Sequence, residues 1–254
     1  IITLVTMKLL KKIIYWKLSL HFYLITFLRN KFYDFGLLKS FSFEIPVISV
    51  GNLAVGGTGK TTLAIHLAMG FIKFHNLKVA VVDTDPQGSL GQWFMIRSEN
   101  NIKNENLNFK TASLWGAKYE SVNLKKDHDI VIIDTPPKIE SDARPSIEAS
   151  DLVLIPMTPS HVDFWATEAI IDIAKKANKK IMIQINRANQ RSKQIIKTND
   201  YIKSLNVPAV DTIIGNRQIY ASSMGEGKTA IEKQRKGSAV DEIKKLTDLS
   251  LIHI

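Results

Sequence analysis

Lys60 follows Gly56-Gly57-Thr58-Gly59 and precedes Thr61-Thr62. That order suits phosphate chemistry. Glycines let successive backbone N–H groups close around phosphate oxygens, and a helix starting there adds its positive dipole end. Lys60 would reach the β- and γ-phosphates, the Thr61 hydroxyl would bind Mg²⁺, and Thr62 would complete the cradle. The common pattern has a glycine where this chain has Ala54. A second Gly-Lys-Thr stands at 227–229. It lacks a buried strand before it and an amphipathic helix directly after, so it reads as a loop.

A phosphate loop needs carboxylates that hold Mg²⁺ and position water, placed at the C-terminal ends of parallel strands. Two runs offer them. Lys78 to Val82 leads into Asp83-Thr84-Asp85-Pro86-Gln87-Gly88-Ser89, and Asp129 to Ile133 leads into Asp134-Thr135-Pro136-Pro137. Asp134 reads as the Walker B carboxylate. Asp83 and Asp85 lie two apart, so on a continuing strand they would share one face.

The elements that must position these groups are legible around them. Ile45 to Val50 is a short β-rich run, and Leu63 to Phe74 carries apolar residues at helical spacing. The runs before Asp83 and Asp134 are almost continuously apolar, as in strands covered on both faces. Leu152 to Pro156, Lys180 to Ile185 (ending at Asn186-Arg187) and Ala209 to Ile214 (ending at Gly215-Asn216-Arg217) are expected to complete the sheet. Ser160-His161-Val162-Asp163 resembles a helix cap with an acidic third residue before a helix over Phe164 to Lys176, which places His161 in the turn rather than in catalysis. The predicted fold is α/β: a P-loop NTPase with a mostly parallel, twisted sheet, helices on both faces and an N-terminal helical extension.

The composition is globular, with 254 residues, 45% hydrophobic and 23% charged. The absence of cysteine excludes a disulfide scaffold, a thiolate metal site and a cysteine nucleophile. The net charge of +10 is uneven. Residues 1–50 carry +5, residues 51–170 carry −3 and residues 171–254 carry +8. Basic ends suit an anionic membrane or a nucleic-acid backbone.

Lys8, Lys11 and Lys12 precede an apolar run to Leu28 that includes Trp16, Phe22 and Tyr23. It is shorter than a bilayer span and lacks a small-residue cleavage site, so residues 8–29 read as an interfacial helix touching anionic lipid. Met7 is a plausible start. Residues 249–254 match what a transposon-library sequencing adapter encodes. The expected organisation is an extension over 1–44, a nucleotide-binding domain over 45–248 and an adapter-derived tail over 249–254.

From Gly56 to about Leu246 the chain resembles the short ParA-type partition ATPases of the ParA/MinD group. The carrying residues are 56–62, Asp-Thr-Asp-Pro-Gln-Gly-Ser at 83–89 with Trp93 and Arg97, 129–137, 149–156, Pro159-Ser160 with Trp165-Ala166, and Gly-Asn-Arg at 215–217. The resemblance implies an ATPase that dimerises on ATP, binds DNA non-specifically and is stimulated by a ParB-like partner. It implies a cytoplasmic, nucleoid-associated protein, with any membrane contact peripheral on the inner face. Carried onto matching positions, Thr61 would ligate Mg²⁺, Asp83 and Asp134 would hold its waters, Asp85 would activate the attacking water, and Asn186 would contact adenine. The basic last third would meet DNA phosphates. The family's signature lysine before the two glycines is Val55 here. Valine supplies neither charge nor donor to phosphate, so hydrolysis is expected to be weak, or absent as in a nucleotide-binding switch.

Residues 7–61 resemble a different family, the N-terminal part of tetraacyldisaccharide 4'-kinase, on Leu28 to Gly36, Ile45 to Leu53 and Val55 to Thr61. That resemblance implies a membrane-associated helix and, as an alternative function, lipid A biosynthesis. After Thr61 the kinase's proline is replaced by Thr62, and the likeness is expected to stop. The chain thus reads as a chimera, a kinase-like head joined to a partition-ATPase-like body at a shared Gly-Gly-Thr-Gly-Lys-Thr.

Overall fold

The computed structural model describes residues 45–53, 58–113, 115–136, 140–189 and 191–253. These belong to the compact unit Ile45–Ile254. The extension at 1–44, including the predicted interfacial helix at 8–29, lies outside the described residues.

Among the described residues six strands form one parallel sheet: β1 (Val47–Val50), β2 (Val79–Asp83), β3 (Leu107–Thr111), β4 (Ile130–Asp134), β5 (Leu152–Met157) and β6 (Lys180–Ile185), in the order β3-β2-β4-β1-β5-β6. Every residue of β1, β2, β4 and β5 is buried, as their apolar runs require. Alternation sorts their side chains between two faces. Val79, Val81, Ile130, Ile132, Leu152 and Leu154 pack on one side; Ala80, Val82, Val131, Ile133, Val153 and Ile155 pack on the other.

The first face is covered by α1 (Lys60–His75), α2 (Ser89–Glu99), α8 (Ala230–Lys233) and α9 (Ser238–His253), with α7 (Gln218–Met224) beside them. The second is covered by α3 (Gly116–Leu124), α4 (Glu140–Ala149), α5 (His161–Lys176) and α6 (Gln194–Ser204). Ser160 caps α5 by accepting from the Asp163 N–H, as its sequence suggests. The Asp163 carboxylate instead accepts from the N–H and hydroxyl of Thr158, tying α5 to the end of β5. Residues 249–253 continue α9, with the Ser250 side chain buried against Leu246 O.

The structure differs from the sequence expectation at two places. β3 is an added strand: Asn108 and Lys110 interrupt its apolar pattern because it is a half-exposed edge strand. Ala209 to Ile214 is not a strand. It runs along β6, bonded at Val210 and at Ile214, but bulges between, where the Gln184 side chain takes Thr212 O. A side-chain amide there replaces a ladder bond, which breaks regular pairing.

Candidate nucleotide site

The loop after β1 begins at Gly51, whose backbone lies so close to Thr135 that a Cβ would meet Oγ1 at 2.3 Å. Only glycine lets the loop leave the sheet against β4. Asn52 Nδ2 donates to Pro156 O, pinning the loop to the end of β5. Ala54, Val55, Gly56 and Gly57 lie outside the described residues. Gly59 caps α1 with φ of 74°, a left-handed conformation that favours glycine. Thr58 is buried, and its hydroxyl has no hydrogen-bond partner among the described residues.

Lys60 is 7% exposed, and its Nζ donates to Asn52 O at 3.0 Å. Burial lowers its pKa, opposed by the charges of Asp134, Asp85 and Asp163. The ammonium is thus held among carboxylates at the start of a helix, where a phosphate would be welcome. Thr61 and Thr62 follow in the first turn, half-buried.

Asp134 ends β4 and lies 1% exposed. Neither of its oxygens accepts a hydrogen bond of good geometry among the described residues, although Thr61 is near enough to lower its pKa. Burial outweighs that and pushes the carboxyl up to about 7, with Asp83 adding in the same direction. A buried carboxylate without donors is costly, and a hard cation is the partner that would relieve it. Asp83 has donors: the N–H of Asp85 at 2.9 Å and the N–H of Gly91 at 3.2 Å. Burial still raises its pKa. Among the described residues no group of three or more His, Cys, Asp or Glu forms a metal cage. A Mg²⁺ ion here would need phosphate and water oxygens as well, as is usual for this ion.

Asp85 does not share a strand face with Asp83. β2 ends at Asp83, and Asp85 sits half-buried in the turn that follows, with Oδ1 accepting from Gln87 N. The turn satisfies Asp83's carboxylate with a local N–H, which a continuing strand would not allow.

Asn186 lies at the end of β6, 3% exposed, with Nδ2 donating to Thr58 O at 2.7 Å. Beside it opens a cavity of about 170 Å³, lined among others by Gly59, His66, Asn186, Gly215, Arg217 and Tyr220. Glu242 of α9 organises its wall, accepting from Arg217 at 2.6 Å, from the Tyr220 hydroxyl at 2.8 Å and from Gly215 N at 3.2 Å. Sequence reasoning missed Glu242, His66 and Tyr220. The available signal for Glu242 was a carboxylate amid the apolar positions Val240, Ile243 and Leu246 of one helix. His161 begins α5, exposed, its ring edge-on to Phe164.

A glycine-led helix start, a buried lysine and two acidic strand ends on a parallel sheet define the class: a nucleotide-binding α/β protein of the P-loop type. The chain belongs to the CobQ/CobB/MinD/ParA nucleotide-binding-domain family, whose pattern matches residues 54–231. Maintenance of carboxysome distribution protein A of Halothiobacillus neapolitanus is 31% identical over 211 residues, 78% of this chain and 93% of that protein. The septum site-determining protein MinD of Pyrococcus horikoshii, solved complexed with Mg-ADP, matches with a TM-score of 0.68 at 19% identity, over 82% of this chain and 98% of that one.

The head matches elsewhere. The tetraacyldisaccharide-1-P 4'-kinase family matches residues 11–88. The tetraacyldisaccharide 4'-kinase of Flavobacterium johnsoniae is 56% identical over 55 residues, 22% of this chain. This chain spans 16% of that enzyme's length. The kinase match runs past Thr61, where the sequence reading ended it, so the two families overlap from residue 54 to residue 88.

Proposed function

We propose that this chain is a ParA-like partition ATPase that binds Mg-ATP, dimerises on it and hydrolyses it. The observation that carries the reading is Asp134: buried, with no hydrogen bond of good geometry among the described residues, one strand from the loop that presents Lys60. Family membership and the Mg-ADP complex of the MinD relative support it. Lys60 would neutralise the β- and γ-phosphates, and Asn186 and the cavity beside it would take the base. Thr61, Asp83 and Asp134 would hold Mg²⁺, directly or through water. Bound Mg²⁺ would offset charge on the phosphoryl oxygens. Asp85, half-exposed beside them, would orient the attacking water.

Exposed Arg191, Lys193, Lys197, Lys203, Arg235 and Lys236 support non-specific DNA binding by the last third. A ParB-like partner would stimulate release. On this reading the protein would act in the cytoplasm on nucleoid DNA, and residues 8–29 would give it a peripheral contact with the inner face of an anionic membrane. Among the described residues no helix is long and apolar enough to cross a membrane. The test is phosphate release from Mg-ATP with and without DNA and a ParB-like protein. Release that responds only to a lipid A precursor would favour the kinase reading, which the match over residues 11–88 supports. Nucleotide binding without release would favour a switch, as Val55 suggests.

A further inference from the structure

Trp93 and Arg97 of α2 lie far along the helix from the phosphate loop, yet both are buried, at 2% and 4% exposure. With Asn100 they occupy i, i+4 and i+7 on one helix face. Each donates to a successive backbone carbonyl: Trp93 Nε1 to Lys228 O at 3.1 Å, Arg97 Nη1 to Gly227 O at 2.9 Å, and Asn100 Nδ2 to Glu226 O at 3.2 Å. Arg97 also grips Glu232 with both terminal nitrogens, at 2.8 and 3.2 Å, and its guanidinium lies 5.0 Å from the Trp93 ring centre. Such bidentate geometry fixes orientation as well as charge.

The receiving segment is the second Gly-Lys-Thr. Gly227 has φ of 66°, and a Cβ there would stand 2.5 Å from Arg97 Cα. Thr229 caps α8 and shares Glu232 with Arg97 through a capping box. The same segment is tied to the phosphate-loop helix. The Ala230 N–H donates to His66 Nε2 at 2.9 Å, so Nδ1 carries the proton and donates to Thr62 O at 2.7 Å. Residues 226–232 therefore brace α1 and α2 against each other.

At its other end α2 presents the Gly91 N–H to Asp83. We propose that Arg97, through Gly227 O and Glu232, is a positioning residue for Asp83, holding α2 where its first turn fixes that carboxylate for Mg²⁺. The inference rests on the proposed function, because it needs Asp83 to serve the ion.

The test compares the full chain with Arg97→Met in two measurements below both melting temperatures. Hydrogen–deuterium exchange without nucleotide should show faster exchange in residues 84–92 and unchanged exchange in residues 63–72. The Mg²⁺ concentration that half-saturates binding of a fluorescent ATP analogue should rise about tenfold or more, the usual cost of losing an outer-sphere partner. Binding of the analogue without Mg²⁺ should stay the same. Arg97→Lys should recover part of the shift. If Arg97→Met fails to fold, Glu232→Gln carries the same two readings at smaller size. Unchanged exchange in 84–92, or an unchanged Mg²⁺ midpoint, overturns the inference alone. No Mg²⁺-dependent binding in the unsubstituted chain overturns the proposed function and this inference with it.

Discussion

Asp83 and Asp134 are register partners on adjacent parallel strands, each the last residue of its strand. The two carboxylates therefore leave the sheet at one level; burial raises the pKa of both, and the Asp83 charge adds to the rise at Asp134. Asp134 also pairs in register with Val50, the residue before the phosphate loop. Burial disfavours charge on both acids, and a cation bound between them would relieve that cost.

That relationship fixes a pH dependence. The folded pKa of Asp134 is about 7, against 3.8 for the free group. A carboxyl raised on folding stabilises the fold below its unfolded pKa and loses that contribution as pH rises through its folded pKa. Without nucleotide, Asp134→Asn should therefore melt above the unsubstituted chain at pH 8, and the gap should close as pH falls toward 4. Thermal melts across that range check it. The same substitution should abolish Mg²⁺-dependent nucleotide binding, and in the unsubstituted chain that binding should weaken below pH 7, where protons compete with the ion.

Lys60→Ala removes a charge-assisted phosphate contact worth about 1.5–3 kcal/mol. ATP affinity by calorimetry should fall roughly ten- to a hundredfold. Equal affinity in the two proteins would displace the site from this loop.

Gly51→Ala places a methyl group 2.3 Å from Thr135 Oγ1. Overpacking of that kind should cost about 1–3 kcal/mol, read from denaturant midpoints. Pairing it with Thr135→Ala should recover most of the loss, because the clash then has no second atom.

Much of this site was legible in sequence. Lys60, Asp83 and Asp134 follow strands whose apolar runs are unmistakable, and the strands fix where the residues end up. The shared face that Asp83 and Asp85 would have on a continuing strand is absent, because a turn that feeds an N–H back to Asp83 leaves no periodic signal. The wall of the cavity beside Asn186 was only partly visible. Gly215-Asn216-Arg217 stood out as a motif, but Glu242, which holds Arg217, arrives from a helix 25 residues later. Contacts of that kind depend on how α9 packs, not on local pattern. The second Gly-Lys-Thr was read as a loop, as found, but its glycine is there for the close approach of α2.

Val55→Lys would restore the family's signature charge. If the missing lysine is the deficit, turnover stimulated by DNA and a ParB-like partner should rise about 10–1,000-fold in the full chain. Equal stimulated rates in the two proteins would place the deficit elsewhere.

The central place of β1 has a consequence for synthesis. Its strand neighbours among the described residues, β4 and β5, begin at Ile130 and Leu152. On the ribosome the phosphate-loop strand waits, unpaired and apolar, until some eighty further residues have been made. An apolar strand without its sheet neighbours is an aggregation hazard, so truncated chains that end before β5 are expected to aggregate where the complete domain does not.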